Sequence, residues 1–263
     1  MDATGWLWQT LLVGLLAARL AYVLQWQQAY FRDPLAILDI RDGGWDVAIG
    51  GAAAFLHASA VARRRPQAKR PLMAAGIVTA AIGTIGTIAL AFWPGQPTMR
   101  VPALDLQALD GRSVDLQEFA GSPLVVNLWA TWCGPCRREM PVLQRAQADH
   151  PAVRFVFVNQ GETAMQVEGF LRAEKLVLDN VLLDPRHEAG KVFGRLALPT
   201  TLFFDSRGRL VSSRIGELSD ATLAQRLRQQ AAAQERHLLP TANGPDKALR
   251  DPEQDGAAFG ERR

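Results

Sequence analysis

Cysteine is scarce in this sequence, and its scarcity narrows the chemistry that the chain can perform. The 263 residues include 2 cysteines, separated by two residues, and 4 histidines that stand apart from one another. A structural zinc site takes four such ligands, and no second cysteine or histidine pair is present to complete one. A zinc site is therefore disfavoured, which leaves a redox pair, a structural disulfide or two inert core thiols.

Charge is also scarce in the first third of the chain. Between residues 5 and 26 the only charged residue is Arg19, and residues 72–93 have none. Each run has 22 residues, enough for a helix to cross ~30 Å of hydrocarbon. A third apolar run, residues 47–62, is shorter and is the weakest candidate span. The pattern predicts a transmembrane anchor of about three helices over residues 1–93.

Basic residues are absent before the first apolar run and concentrated between the later ones. The missing basic segment disfavours a cleaved signal peptide, which is the alternative to a first span. Residues 63–70 contain five Lys or Arg and no acidic residue, so this loop is expected in the cytoplasm. The next run then leads outward, and everything after it is expected outside the cytoplasm. The net charge of +3 comes partly from this loop, which favours a lipid bilayer over nucleic acid as partner.

The cysteine pair follows a short apolar segment and precedes a segment with helical spacing. Residues 124–129 have the β-branched, apolar character of a buried strand, and a helix is expected from Gly134. Cys133 is therefore predicted at a helix N-terminus, where the helix dipole and free N–H groups favour the thiolate. Cys136 is close enough to close a small disulfide ring. The pair can thus form and resolve a mixed disulfide within one chain.

The run from Trp129 to Pro141, WATWCGPCRREMP, resembles the membrane-anchored, extracytoplasmic thioredoxins of the TlpA and ResA type. The resemblance implies an α/β thioredoxin fold over residues 101–236, a central mixed sheet flanked by helices with an extra N-terminal hairpin. Residues 94–100 are expected to be a linker and residues 237–263 a disordered tail. The expected strands are 101–106, 112–114, 124–129, 153–158, 181–183, 200–204 and 210–215, and the expected helices are 134–149, 163–175, 186–194 and 222–233.

The resemblance also implies the roles of individual residues. Cys133 and Cys136 would form the redox-active disulfide, and Glu139, one helical turn further on, would tune their protonation as a third catalytic residue. Thioredoxin has a buried aspartate where this chain has Asn127, and an amide cannot shuttle protons. In thioredoxin-like folds the proline at the place of Pro199 is cis and lies beside the cysteine pair. The expected substrate-binding residues are Trp132, Gly134, Pro135, Leu198 and Pro199.

The implied activity is reduction of disulfides in specific exported proteins, for example apocytochrome c or a copper-site protein. A membrane electron donor fed by cytoplasmic thioredoxin would restore the dithiol, and no cofactor or metal is required. The Gly134-Pro135 dipeptide resembles that of thioredoxin, a reductant at roughly −270 mV. A disulfide oxidase or isomerase, and a copper-delivery module, are the alternatives.

The anchor region has a resemblance of its own. Residues 19–24, residues 34–40 and the two Gly-Gly pairs at 43 and 50 resemble a fragment of prolipoprotein diacylglyceryl transferase. That family has a histidine just before the second pair, where this chain has Ile49, and it has further spans. We interpret the segment as an inherited anchor without lipid-transferring activity.

Overall fold

The computed structural model of the chain describes residues 3–32, 34–38, 43–92 and 99–238. Helices occupy most of the described residues up to Phe92, and an α/β domain follows. The helices are α1 (Ala3–Gln25), α2 (Gln27–Arg32), α3 (Val47–Arg64), α4 (Lys69–Phe92), α5 (Gly134–Asp149), α6 (Ala164–Ala173), α7 (Glu188–Val192) and α8 (Asp220–Leu238). The strands are β1 (Asp105–Ala108), β2 (Ser113–Asp115), β3 (Leu124–Trp129), β4 (Arg154–Gln160), β5 (Val181–Asp184), β6 (Thr200–Phe204) and β7 (Leu210–Ile215).

The first part of the chain is built on a close antiparallel contact between α1 and α3. A Cβ placed on Gly50 would lie 2.6 Å from the Ala18 Cβ and 2.8 Å from the Gly14 carbonyl oxygen. The helix backbones can approach this closely because the contact residues are small. Among the described helices, the segments Thr4–Gln25 and Pro66–Ala89 are long and apolar enough to cross a membrane.

The α/β domain is built on one mixed sheet of seven strands in the order β2-β1-β5-β4-β3-β6-β7. Strands β3, β4 and β5 are parallel to one another, while β6 and β1 are antiparallel to their neighbours β3 and β5. The hairpin of β1 and β2 forms one edge of the sheet, and the hairpin of β6 and β7 forms the opposite edge. This order gives a thioredoxin-like fold, with helices on both faces of the sheet.

Strand β3 lies at the centre and has no exposed residue. Its side chains alternate between two apolar cores, because successive residues of a strand point to opposite faces. Val125 and Trp129 enter the core that also contains residues of α5 and α8, whereas Val126 and Leu128 enter the core on the opposite face. Burial on both faces explains why every residue of this segment except Asn127 is apolar.

Strands β3, β6 and β7 and helix α5 have the expected bounds, and most other elements differ by one or two residues at an end. The closing helix expected at 222–233 is longer and forms α8 (Asp220–Leu238), and two further expectations were wrong. The strand expected at 101–106 begins only at Asp105, because Val101 N donates to Gly208 O (2.8 Å) in the far hairpin. The helix expected at 186–194 is shortened to α7, which begins where Glu188 N and Ala189 N donate to the Asp184 carboxylate. Residues 27–46 include α2 and a 3-10 turn at Pro34–Leu38. The first two residues of the tail expected at 237–263 belong instead to α8, which continues to Leu238, and the rest of that tail and most of the expected linker lie outside the described residues.

We expect Phe203→Ala to lower the free energy of unfolding by about 3–5 kcal/mol, since Phe203 is fully buried and its loss leaves a cavity. The matched control is Ile215→Ala on neighbouring β7, where the side chain is 54% exposed and a change within about 0.5 kcal/mol is expected. Chemical denaturation of the oxidised domain, followed by circular dichroism, measures both. Equal losses from the two variants would contradict the assignment of the core.

Candidate active site

The two cysteines form a disulfide at the junction of β3 and α5. Cys133 is the N-cap residue of α5, and the Cys136 N–H donates to its Sγ at 3.2 Å. Cys133 is 6% exposed and Cys136 is completely buried. After reduction, the outer sulfur therefore lies at the helix N-terminus, where the dipole and this N–H favour the thiolate. A partner can approach Cys133, while Cys136 is shielded.

Glu139 lies one helical turn below Cys136 and is completely buried. Its two carboxyl oxygens accept hydrogen bonds from Asn127 Nδ2 (2.8 Å) and from Leu218 N (3.0 Å). Desolvation by burial outweighs these hydrogen bonds and raises the pKa of Glu139 to about 8. The side chain is therefore mostly protonated at neutral pH, and it can give a proton or take one back near the buried cysteine.

Asn127, on β3, occupies the position of the aspartate of thioredoxin. Its Nδ2 bridges the Glu139 carboxyl and the Thr201 hydroxyl (3.0 Å) on β6. The amide thus connects the helix that carries the cysteines to the centre of the sheet. An amide cannot exchange a proton, whereas the neighbouring Glu139 carboxyl group can titrate.

The loop before β6 reaches the apolar core that contains the cysteine pair. The Leu198–Pro199 peptide bond is cis, as the resemblance implies. Leu198 packs against the apolar cluster that contains both cysteines, and the Pro199 carbonyl accepts a hydrogen bond from Gly216 N (2.8 Å). On the outer side, Trp132 is 69% exposed.

Gly134 and Pro135 form the first turn of α5 between the cysteines. Proline is favoured there, since its missing N–H would have no partner within the helix. The expected substrate-binding residues thus belong to two segments: Trp132 with the start of α5, next to the cysteines in sequence, and the loop before β6, where Leu198 packs on the core that contains the cysteines.

A second buried carboxylate, Glu162, was not expected from the sequence. It accepts hydrogen bonds from Thr131 N (2.7 Å), from the Thr131 hydroxyl and from Asn159 Nδ2 (2.7 Å). It therefore fixes the turn that leads into Cys133. The sequence signal that could have identified Glu162 is its position just after β4, since polar residues at the carboxyl ends of parallel strands often line a site.

Two ion pairs flank the start of α5. Arg137 pairs with Glu174 (2.6 Å), and Arg138 with Glu217 (2.7 Å). Both arginines are about half exposed, so each pair contributes on the order of 0–1 kcal/mol. In the part of the chain that the structure describes, no group of three or more His, Cys, Asp or Glu could hold a metal ion.

A model of the Redoxin family matches residues 96–227. Thiol-disulfide oxidoreductase ResA of Bacillus thuringiensis subsp. konkukian is 29% identical over 122 residues, which cover 46% of this chain and 70% of the relative. Thioredoxin-like protein YneN of Bacillus subtilis is 30% identical over 136 residues, covering 50% and 79%. The crystal structure of StoA from Bacillus subtilis covers 49% of this chain and 98% of its own, with 25% identity and a TM-score of 0.42.

We expect Glu139→Gln to remove a pH dependence of stability. The folded pKa of Glu139 is raised to about 8 from an ordinary value of 4.5, so between these values the folded chain keeps a proton that the unfolded chain releases. The free energy of unfolding should fall with rising pH in this window by up to about 1.4 kcal/mol per pH unit. Denaturation of the oxidised domain from pH 5 to pH 8 measures the slope. The control Glu168→Gln, at an exposed site, should keep this pH dependence. If Glu139→Gln also kept it, the pH dependence would not come from Glu139.

We expect Glu162→Gln to destabilise the oxidised domain by about 1–3 kcal/mol, because an amide cannot accept all three hydrogen bonds and presents an N–H₂ group to buried donors. The local effect should be faster hydrogen exchange at the Thr131 amide, measured by NMR. Exchange at an amide of α8, such as Leu227, serves as the control. If the Thr131 amide exchanged no faster in the variant than in the wild type, Glu162 would not stabilise this turn.

Proposed function

This chain belongs to the Redoxin family, and we propose on that basis that it is a membrane-tethered, extracytoplasmic thiol:disulfide oxidoreductase that reduces disulfides in exported proteins. The observation that carries the proposal is the Cys133–Cys136 disulfide at the N-terminus of α5. Cys133 is slightly exposed (6%), Cys136 is completely buried, and a buried carboxyl group lies one turn below.

The reaction is a two-electron exchange of disulfides. The Cys133 thiolate attacks a substrate disulfide, forms a mixed disulfide and releases one substrate thiolate, which takes up a proton. The Cys136 thiol loses its proton, and the thiolate attacks the Cys133 sulfur, breaks the mixed disulfide and releases the second substrate thiolate. The substrate gains two electrons and the protein ends as the disulfide. A dithiol electron donor in the membrane returns the two electrons.

Glu139 serves the step at Cys136. When the donor opens the Cys133–Cys136 bond, Cys136 leaves as a thiolate within a core that cannot solvate the charge, and the protonated Glu139 can supply the proton. When Cys136 must attack, the Glu139 carboxylate takes the proton back. The raised pKa of Glu139, near the working pH, suits both directions.

The substrate docks as an extended segment along the loop before β6. Leu198 and Pro199 provide the backbone beside which it lies, as the resemblance implies. Trp132, exposed at the rim, covers the disulfide bond of the substrate, and Gly134 and Pro135 leave room for close approach. The absence of bulky side chains at these two positions supports this arrangement.

The tether is the helical region. Helix α4 is apolar on all sides, and Ile77, Ile82 and Ile85 are each about two-thirds exposed, as expected of a helix surrounded by lipid. The basic loop of residues 63–70 precedes it and favours a cytoplasmic position for this end. The α/β domain, after the other end, is then outside the cytoplasm.

The resemblance to a diacylglyceryl transferase fragment fits a structural role in this anchor. Arg19 is buried and donates to the carbonyl oxygens of Ile37 (3.0 Å and 3.1 Å) and Gly44 (2.9 Å). These hydrogen bonds hold Ile37 and Gly44 against α1. We infer an anchor without transferase activity.

The clients are exported proteins whose cysteines must be reduced before use, such as apocytochrome c or a copper-site protein. The donor is a membrane protein fed by cytoplasmic thioredoxin. An oxidase or isomerase would use the same residues, so the reduction potential is what separates these activities. We expect a value nearer the −270 mV of thioredoxin than the −120 mV of strong oxidants, as approximate reference points.

We expect Cys136→Ala to accumulate client proteins on Cys133 as mixed disulfides, because the resolving thiol is missing. Non-reducing electrophoresis of cell membranes, followed by mass spectrometry, identifies them, and the Cys133→Ala/Cys136→Ala double variant is the control. Reducible adducts of the single variant alone support the proposal. Absence of adducts, together with a potential near −120 mV for the wild type, would overturn it.

A further inference from the structure

The α/β domain is packed against the outer end of the anchor. Tyr22, Trp26 and Tyr30 are 3%, 7% and 4% exposed, and they form one apolar cluster with Ala221 of α8. The three aromatic residues are spaced four apart across α1 and α2, which places them along one side. Aromatic side chains with a polar tip are typical of the membrane–water interface.

The contact also has directional interactions. The Tyr22 hydroxyl donates to Gln225 Oε1 at 3.1 Å, and the Arg228 guanidinium lies 4.3 Å from the centre of the Trp26 ring. The positive charge of Arg228 is attracted to the electron-rich face of the Trp26 ring. We call Tyr22, Trp26 and Tyr30, with the α8 residues that cover them, the docking surface.

We propose that the catalytic domain is held on the anchor through this docking surface and that the anchor therefore crosses the membrane three times. The proposal rests on the extracytoplasmic function proposed above. The docking surface places the Gln25 end of α1 on the side of the catalytic domain. The Phe92 end of α4 leads to the same side, while the basic start of α4 lies on the cytoplasmic side.

The chain must return to the cytoplasm between α1 and α4, and α3 is the helix that does so. Thr10 contacts His57 (3.1 Å between Oγ1 and Nδ1), and Gly14 and Ala18 contact Gly50, so α3 runs antiparallel to α1 along most of its length. Its 18 residues are about 27 Å long, close to the ~30 Å of hydrocarbon. α3 ends at Arg63 and Arg64, on the side of the basic loop.

Docking also determines the position of the disulfide relative to the anchor. The far end of α5 lies at the anchor, because Arg145 and Asp149 line a cleft of about 220 Å³ together with Gln28 and Ala29. The 16 residues of α5 span about 24 Å, with Cys133 at the opposite end. The disulfide is therefore held well away from this cleft. A membrane donor must bring its thiols to the Cys133 end of α5, not to the cleft.

The first test is photocrosslinking of the full chain in native membranes. With p-benzoylphenylalanine in place of Tyr22, we expect a crosslink to α8, identified by mass spectrometry. The control position is Phe31, also on the outer segment but 77% exposed, which should give no crosslink to α8. Arg228→Glu should lower the yield from position 22, whereas Arg226→Glu, the same charge change on α8 outside the docking surface, should not.

The second test is labelling of intact spheroplasts with a membrane-impermeant maleimide, in a background with both cysteines replaced by serine. Gln28→Cys should be labelled from outside, whereas Thr4→Cys and Gln67→Cys should need permeabilised membranes. Met165→Cys, in the catalytic domain, reports the side of the domain itself. External labelling at 165 and at 4, with protection at 28, would overturn the three-span proposal alone. Protection at 165 would instead overturn the extracytoplasmic function.

Discussion

Burial of the Glu139 carboxyl group is the constraint on which the site depends. This carboxyl group connects three separate parts of the fold, because α5 carries it, β3 donates to it through Asn127, and Leu218, just before α8, donates to it through its backbone N–H. An ionised carboxylate would be costly in this apolar core, so the group holds its proton at neutral pH. The same burial that stabilises the α/β domain thus provides an acid directly below the inner cysteine.

Local sequence was sufficient for the centre of the domain. The bounds of β3, α5, β6 and β7 agree with expectation, because a strand that is apolar except for Asn127, a proline at a helix start and turn residues between strands are unambiguous signals. The first strand and α7 were misjudged, since a contact with a distant hairpin and a cap from Asp184 set their limits. Neither interaction is visible in a local pattern.

The site shows the same division. The cysteines and Glu139 lie within seven residues of one another and could be found from one motif. Leu218, which holds Glu139 from 79 positions away, and Glu162, which holds Thr131 from 31 positions away, depend on the folded sheet. Among the first helices, α3 was the weakest candidate for a membrane span from hydropathy. Its glycine packs closely against α1, and this contact cannot be recognised from the sequence of either helix alone.

The shielding of Cys136 has a consequence for oxidative damage. A small oxidant such as a peroxide meets Cys133 first and converts its thiolate to a sulfenic acid, releasing the reduced oxidant. The neighbouring Cys136 thiol can then condense with the sulfenic acid and expel water, which regenerates the internal disulfide before irreversible sulfinic acid forms. Oxidation that would continue to the irreversible sulfinic acid at an isolated thiol thus stops here at the internal disulfide, which two electrons convert back to the dithiol.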